Sequence, residues 1–214
     1  MMTLHGYWRS SASYRVRIAL ALKGVEVKHH AVNLKTGEQL EASHGDLNAQ
    51  PFVPILELED GTKLTQSLAI MDYLDATFRE PALMPSEAIL RSKILSASLI
   101  IASDIAPIQN LSVLKYIRAE HGQTDEGVKA WIAHWINRGF QALEITAQTS
   151  KTDYFLTDRP AFFECCLIPQ VYNANRFGVD MKQYPRLSEI NNACLSLPEF
   201  QAALPENQAD AIKA

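Results

Sequence analysis

The amino-acid sequence predicts a two-part chain: an α/β domain over residues 1–79 and an all-helical domain over residues 87–214. Three observations predict it. Before residue 80, short β-rich segments alternate with helical ones, whereas beyond it nearly every apolar run has helical period. Between the two regimes, residues 80–86 carry two prolines and no periodicity and read as a linker. A chain of 214 residues that is 47% hydrophobic and 21% charged is also long and apolar enough to bury sizeable cores.

The elements follow in order from local signals. Residues 3–7 read as a first strand and Trp8-Arg9-Ser10-Ser11-Ala12-Ser13 as a turn. Val16, Ala19, Leu20 and Lys23 fall at helical spacing, and Gly24 supplies the stop. Residues 25–32 read as a second strand, which completes a βαβ unit with a parallel pair. Residues 55–58 alternate as a strand, Glu59-Asp60-Gly61 makes a hairpin turn, and residues 63–65 return antiparallel. Ser67 is placed to N-cap a helix carrying Ile70, Met71, Tyr73 and Leu74. This order, βαβ then ββα, is that of a thioredoxin-like domain. In the second half, helices are expected over residues 87–119, kinked at Pro107, then 125–148, 161–177 with a kink at Pro169, 186–194 and 199–204. The polar tail beyond Pro205 is expected to fray.

Composition narrows the function. A net charge of -4 and a pI near 5.9 leave no basic excess, which argues against nucleic acid as a partner. The longest apolar stretch, residues 94–102, is broken by serines and too short for a bilayer, so no membrane partner is expected. His5 and Arg9 interrupt the start, so no secretory leader is expected either. Three cysteines, two of them adjacent, make no disulfide framework and point to a reducing cytoplasm.

Three places carry candidate chemistry. In the first, a strand runs into Ser10, Ser11 and Ser13 and then into a helix. A helix start presents free N–H groups and roughly half a positive charge, so an anion is stabilised there; the bland alternative is that the serines only cap. In the second, Val53-Pro54 precedes a strand, where a cis bond turns the Val53 backbone outward to pair with an extended peptide. In the third, Gln66 and Ser67 open the next helix and offer donors to a carboxylate.

Together these sites describe a receptor for a peptide bearing a thiol and carboxylates. The resemblance becomes specific over Tyr7 to Leu20, Gln66-Ser67-Leu68-Ala69-Ile70, Pro107 to Lys115, Cys166 to Val171 and Asn173 to Phe177. On these segments, which span the whole chain, the sequence resembles the zeta class of glutathione transferases, the maleylacetoacetate isomerase family.

The resemblance implies glutathione as cofactor, a small diacid or electrophile as substrate, and a homodimer. It implies that Ser10 and Ser11 hold the sulfur, Val53 pairs with the cysteinyl part, and Gln66 and Ser67 bind the γ-glutamyl end. It implies further that Gln109, Asn110 and Ser112 border the site and that Arg176 faces the second substrate. The implied activity is glutathione-dependent cis–trans isomerisation of maleylacetoacetate to fumarylacetoacetate. Maleylpyruvate isomerisation, general transfer or α-haloacid dehalogenation are the enzyme alternatives, and a non-catalytic glutathione-fold binding protein is the other class.

The chain departs from the family pattern at four places. Ala12 replaces a common cysteine and Ala106 a common glutamine. The loop Asn48-Ala49-Gln50-Pro51-Phe52-Val53-Pro54 lacks its first proline. Ala161 replaces a capping Thr or Ser, so Asp158 is expected to cap instead.

The remaining features have plainer readings. Cys165, Cys166 and Cys194 have no metal spacing and read as core; no metal is expected. His29 and His30 read as surface strand residues, and Trp131 and Trp135 as helix packing. Arg15 and Arg17 read as a solvated face. Arg176 has the better claim to function, because arginine is the bidentate partner of a carboxylate.

Overall fold

The computed structural model describes residues 1–212. The chain divides into two compact units, Met1–Leu83 with the segment from Leu195 onward, and Met84–Cys194.

The first unit is built on strands β1 (Thr3–Gly6), β2 (Lys28–Ala31), β3 (Ile55–Glu57) and β4 (Lys63–Thr65), in spatial order β2-β1-β3-β4. β1 pairs parallel with β2, Leu4 facing His29; β3 pairs antiparallel with both β1 and β4, Ile55 facing His5 and Thr65. The β3–β4 hairpin turns where Gly61 takes a positive φ of 85° and its N–H donates to Leu58 O, a conformation that favours glycine. Helix α1 (Ser11–Leu22) buries Val16, Ile18, Ala19 and Leu20 and stops at Gly24, φ 63°. A short helix α2 (Ala42–Gly45) lies in the connection to β3, and α3 (Ser67–Thr77) buries Ile70, Met71 and Leu74 beside α1. Ser67 is the first helical residue of α3 rather than its cap; Gln66 holds the cap position.

Two sequence expectations fail in this unit for one reason. Arg15 and Arg17 are buried, at 4% and 6% exposure, instead of solvated. The Arg17 guanidinium points inward because it has carbonyls to meet: Nε donates to Ala203 O at 3.1 Å and Nη2 to Trp8 O at 2.9 Å. Ala203 ends helix α9, which spans Pro198–Ala203, and this helix packs on α1, so the segment from Leu195 joins the first unit rather than the helical one. The tail expected to fray instead forms a 3₁₀ turn at Pro205–Asn207 and continues as a strap to Ala211.

In the second unit, α4 (Ala88–Leu99) widens into a π turn over Ile100–Ile105 and a 3₁₀ turn at Pro107–Gln109 before α5 (Leu111–His121). The single kinked helix expected over residues 87–119 is therefore broken. Pro107 has no N–H to continue the ladder, and Asn110 is extended, with ψ 144°, and caps a new helix. Gly139, on α6 (Asp125–Ala147), leaves room for the Ile105 side chain of the widened turn. Helix α7 (Phe162–Arg176) runs through Pro169, and α8 (Pro185–Leu195) starts on the Glu144 carboxylate, which accepts from Arg186 N and Leu187 N.

Asp158 does not cap α7. Glu164 reaches back instead: Oε2 accepts from Ala161 N and Oε1 from Phe155 N, each at 2.8 Å. Burial raises its carboxyl from 4.5 to about 7. Cys165, Cys166 and Cys194 are buried as expected, and desolvation raises the Cys165 and Cys194 thiols. No single helix among the described residues is long and apolar enough to cross a membrane.

Candidate functional site

The sheet topology gathers the first unit's candidates. Because β3 is antiparallel to β1 and β4, the end of β1, the start of β3 and the end of β4 lie at one edge of the sheet. From that edge emerge the Tyr7–Ser11 turn, Val53-Pro54 and Gln66-Ser67, and from it start α1 and α3. Two helix N-termini thus open at one end of a four-stranded sheet, and helix starts of this kind favour anions.

At the first helix start, Ser10 takes the cap position, φ -69° and ψ 120°, and its Oγ accepts from Ser13 N at 3.2 Å. Tyr14 N donates to Ser10 O at 2.9 Å and opens the helical ladder. The N–H groups of Ser11 and Ala12 are left without an intrahelical partner, and the Ser11 hydroxyl makes no hydrogen bond among the described residues. Ser13 separates from the other two: it is fully buried and its Oγ accepts from Tyr7 N at 3.4 Å, so it braces the turn from inside.

Val53 stands next to this turn. The Val53-Pro54 peptide is cis, as the sequence led us to expect. Val53 packs with Tyr7, Trp8 and Val32 in one apolar cluster, and among the described residues no hydrogen bond engages its backbone. The α2 region holds the loop in place, since His44 Nε2 and Asn48 Nδ2 both meet Phe52 O, at 3.2 and 3.1 Å.

Gln66 has a positive φ of 67° with ψ 115°, a conformation that costs a non-glycine residue on the order of 1–3 kcal/mol. Its side-chain Nε2 donates to Gln50 Oε1 at 2.8 Å. Its carbonyl takes Ile70 N at 3.0 Å, so the N–H groups of residues 67–69 stay open as a helix start requires. The Ser67 Oγ accepts from Arg15 Nη1 at 3.2 Å, which ties the start of α3 to α1. Arg15, expected from sequence to be solvated, thus links α1 to the start of α3, and no local pattern distinguishes it from an exposed arginine.

In the second unit, Gln109 is oriented at both ends of its amide. Nε2 donates to Ile105 O, and Oε1 accepts from Gln170 Nε2, both at 3.3 Å. Gln170, 1% exposed, was not singled out in the sequence. Asn110 Oδ1 caps α5 by accepting from Ser112 N and Ser112 Oγ, each at 3.0 Å, so this pair is engaged in the cap. Arg176 is the last residue of α7 and exposed, with its guanidinium 4.8 Å from the Phe177 ring centroid. Trp131 Nε1 donates to Ile108 O at 2.9 Å, in line with a packing role.

Comparison with known proteins places this geometry among relatives. Residues 1–76 match the glutathione S-transferase N-terminal domain family. A probable maleylacetoacetate isomerase of Vibrio cholerae is 44% identical over 212 residues, 98% of each chain. The holo structure of a bacterial maleyl pyruvate isomerase of the zeta class superposes with a TM-score of 0.96 at 37% identity, over 98% of this chain and all of the other. A maleylacetoacetate isomerase from Anaeromyxobacter dehalogenans, with GSH bound in its active site, superposes with a TM-score of 0.89 at 38% identity, over 99% of this chain and 98% of the other.

Proposed function

The chain belongs to the maleylacetoacetate isomerase family of zeta-class glutathione transferases, and from that premise we propose that it isomerises maleylacetoacetate to fumarylacetoacetate with glutathione as cofactor. The observation that carries this reading is the convergence of two open helix starts and the unengaged Val53 backbone at one sheet edge. Those groups fit glutathione: a thiol needs donors, an extended peptide needs a backbone partner, and a terminal carboxylate needs open N–H groups.

Glutathione, when bound, supplies a thiolate that adds reversibly to the cis double bond, so that the bond turns before the thiol leaves. The chain's part is electrostatic. The Ser11 hydroxyl and the open N–H groups of Ser11 and Ala12 donate to the sulfur and favour its anion. Ser10, whose oxygen is committed to Ser13 N, keeps its hydroxyl proton to donate to the same place. Each unit by which they lower the thiol pKa from about 8.5 is worth about 1.4 kcal/mol. Val53 pairs with the cysteinyl backbone, and the start of α3, at Gln66 and Ser67, holds the γ-glutamyl carboxylate. In the helical unit, Gln109, with Asn110 and Ser112 fixing the adjoining helix start, is the contact offered to glutathione. Arg176 is the cation offered to a substrate carboxylate.

The protein acts in the cytoplasm, in tyrosine breakdown, as a homodimer; exposed Ile89, Leu95 and Leu99 on α4 supply apolar surface for a second copy. A second reading, maleylpyruvate isomerisation, is favoured by the likeness to the maleyl pyruvate isomerase structure.

The test is turnover of both maleyl substrates by the purified protein, with and without glutathione. The proposal expects turnover only with glutathione and the higher kcat/KM on maleylacetoacetate. Preference for maleylpyruvate transfers the assignment to the second reading, and indifference to glutathione overturns both.

A further inference from the structure

The turn that carries Ser10 and Ser11 cannot satisfy its own backbone. Tyr7 O takes Ser10 N at 3.0 Å and Tyr7 N reaches Ser13 Oγ at 3.4 Å, both locally. Trp8 is different: its N–H donates to Asp210 Oδ2 at 2.9 Å, across 202 residues of sequence. Its carbonyl accepts from Arg17 Nη2 at 2.9 Å, and the same guanidinium is anchored through Nε on Ala203 O at 3.1 Å. Both external partners of Trp8 thus depend on the segment from Ala203 to Asp210. Trp8 is 8% exposed, and these two bonds tie its backbone to groups outside the turn.

We infer that the C-terminal strap is part of the glutathione site, with Asp210 as a positioning residue that fixes the Trp8 backbone and, two residues on, the Ser10–Ser11 helix start. A cavity of ≈ 450 Å³ lies among Trp8, Arg17, His29, Gln208 and Asp210. On that side the strap meets the turn through discrete polar bonds rather than a close-packed seam. From the strap, Ala211 packs against the Tyr7–Trp8 cluster, as Leu34 does from elsewhere in the first unit. Burial lowers the Arg17 pKa to about 10, against the raising influence of Tyr14, Asp210 and Glu206; at neutral pH it stays charged and able to donate. Losing the Asp210 acceptor leaves the Trp8 N–H without its partner on the strap and lets the turn move, which displaces the sulfur-binding donors without touching the sulfur itself.

The inference rests on the glutathione reading, and the experiment separates the two. In the full chain, Asp210→Ala, Asp210→Asn and Arg17→Lys are compared with the wild type. Three readouts are taken: glutathione affinity by calorimetry, the pKa of the bound thiol by ultraviolet titration, and hydrogen exchange of peptides covering residues 7–13. Asp210→Ala is expected to weaken glutathione by about tenfold, raise the thiol pKa and speed exchange in the turn. Asp210→Asn, which keeps an oxygen in place, is expected to return affinity to within about twofold. Arg17→Lys, which lacks the planar fork that sets Nε on Ala203 O and Nη2 on Trp8 O, is expected to speed exchange as well and carries the test if Asp210→Ala does not fold. Unchanged exchange and affinity in Asp210→Ala, or equal losses in the Ala and Asn variants, overturn the inference. A wild type that binds no glutathione overturns the functional reading instead, while the exchange data still judge the strap.

Discussion

Ser11→Ala isolates the chemistry of the helix start from its stability. In the folded chain the Ser11 hydroxyl makes no hydrogen bond among the described residues, and residue 11 opens α1, where alanine is a sound helix former. The substitution is therefore expected to leave Tm within about 2 °C. On the bound sulfur it removes one charge-assisted hydrogen bond, worth about 1.5–3 kcal/mol, which is roughly a 10- to 150-fold fall in kcat/KM. Because the lost bond favours the anion, the thiol pKa rises and the acidic limb of the pH–rate profile moves to higher pH, by about one unit for each 1.4 kcal/mol. Ser10→Ala should differ: it also removes the cap on Ser13 N, which costs about 1 kcal/mol and lowers Tm by roughly 2–4 °C. Ser13→Ala strips the inner brace from Tyr7 N and should act on stability more than on thiol pKa. The assay is thermal melting beside a pH–rate profile for the three variants. If Ser11→Ala keeps full kcat/KM and an unmoved acidic limb, Ser11 does not hold the sulfur.

Lys23→Met removes an ammonium that has no exposed side-chain surface and donates to Asp75 Oδ1, Phe78 O and Pro81 O at 2.6–2.7 Å. Breaking a buried pair from one side costs about 3–5 kcal/mol, so Tm should fall by roughly 10 °C; a shift under about 2 °C refutes the role of this buried pair. Glu164 has its carboxyl raised from 4.5 to about 7, so the folded state binds the extra proton in that window. Global stability should therefore decline as pH rises from 4.5 to about 7, and Glu164→Gln, destabilised at Phe155 N or Ala161 N, should lose that slope in denaturant titrations. Arg176→Ala should raise KM for the maleyl diacid by about tenfold, with Arg176→Lys intermediate, and should spare a neutral electrophile such as a chloronitrobenzene. Equal losses on both substrates would remove the docking role.

How much of this was legible in the sequence follows the range of the forces involved. Strands, turns and helix starts depend on neighbours a few residues away, which is why βαβ-ββα, the Glu59-Asp60-Gly61 turn and the serine-rich cap of α1 could all be read directly. The sheet edge that assembles the site follows from that order of elements once the pairing is right. Reading failed where a partner lies far along the chain. Arg15 and Arg17 look like ordinary surface arginines because nothing near them announces Ser67, Trp8 or Ala203. Asp210 looks like one more polar residue of a fraying tail because its partner is 202 positions away. Asp158 is the nearest upstream residue able to cap, but α7 instead uses Glu164, one turn inside the helix, whose carboxylate reaches back to the Ala161 N–H and, across nine residues, to Phe155 N. The break after Ile105 went unread for a related reason: proline predicts a kink, but whether the ladder widens, as here, depends on the space Gly139 leaves on another helix. The misread residues are not peripheral. Arg15 ties the two helix starts together, and Arg17 and Asp210 fix the turn between β1 and α1. The groups offered to glutathione are local and visible in sequence, whereas the groups that hold them at their spacing are long-range and become visible only in the folded chain. A variant set chosen from motifs alone would therefore sample the donors and miss the frame, and the pairing of Ser11→Ala with Asp210→Ala is the smallest set that tests both.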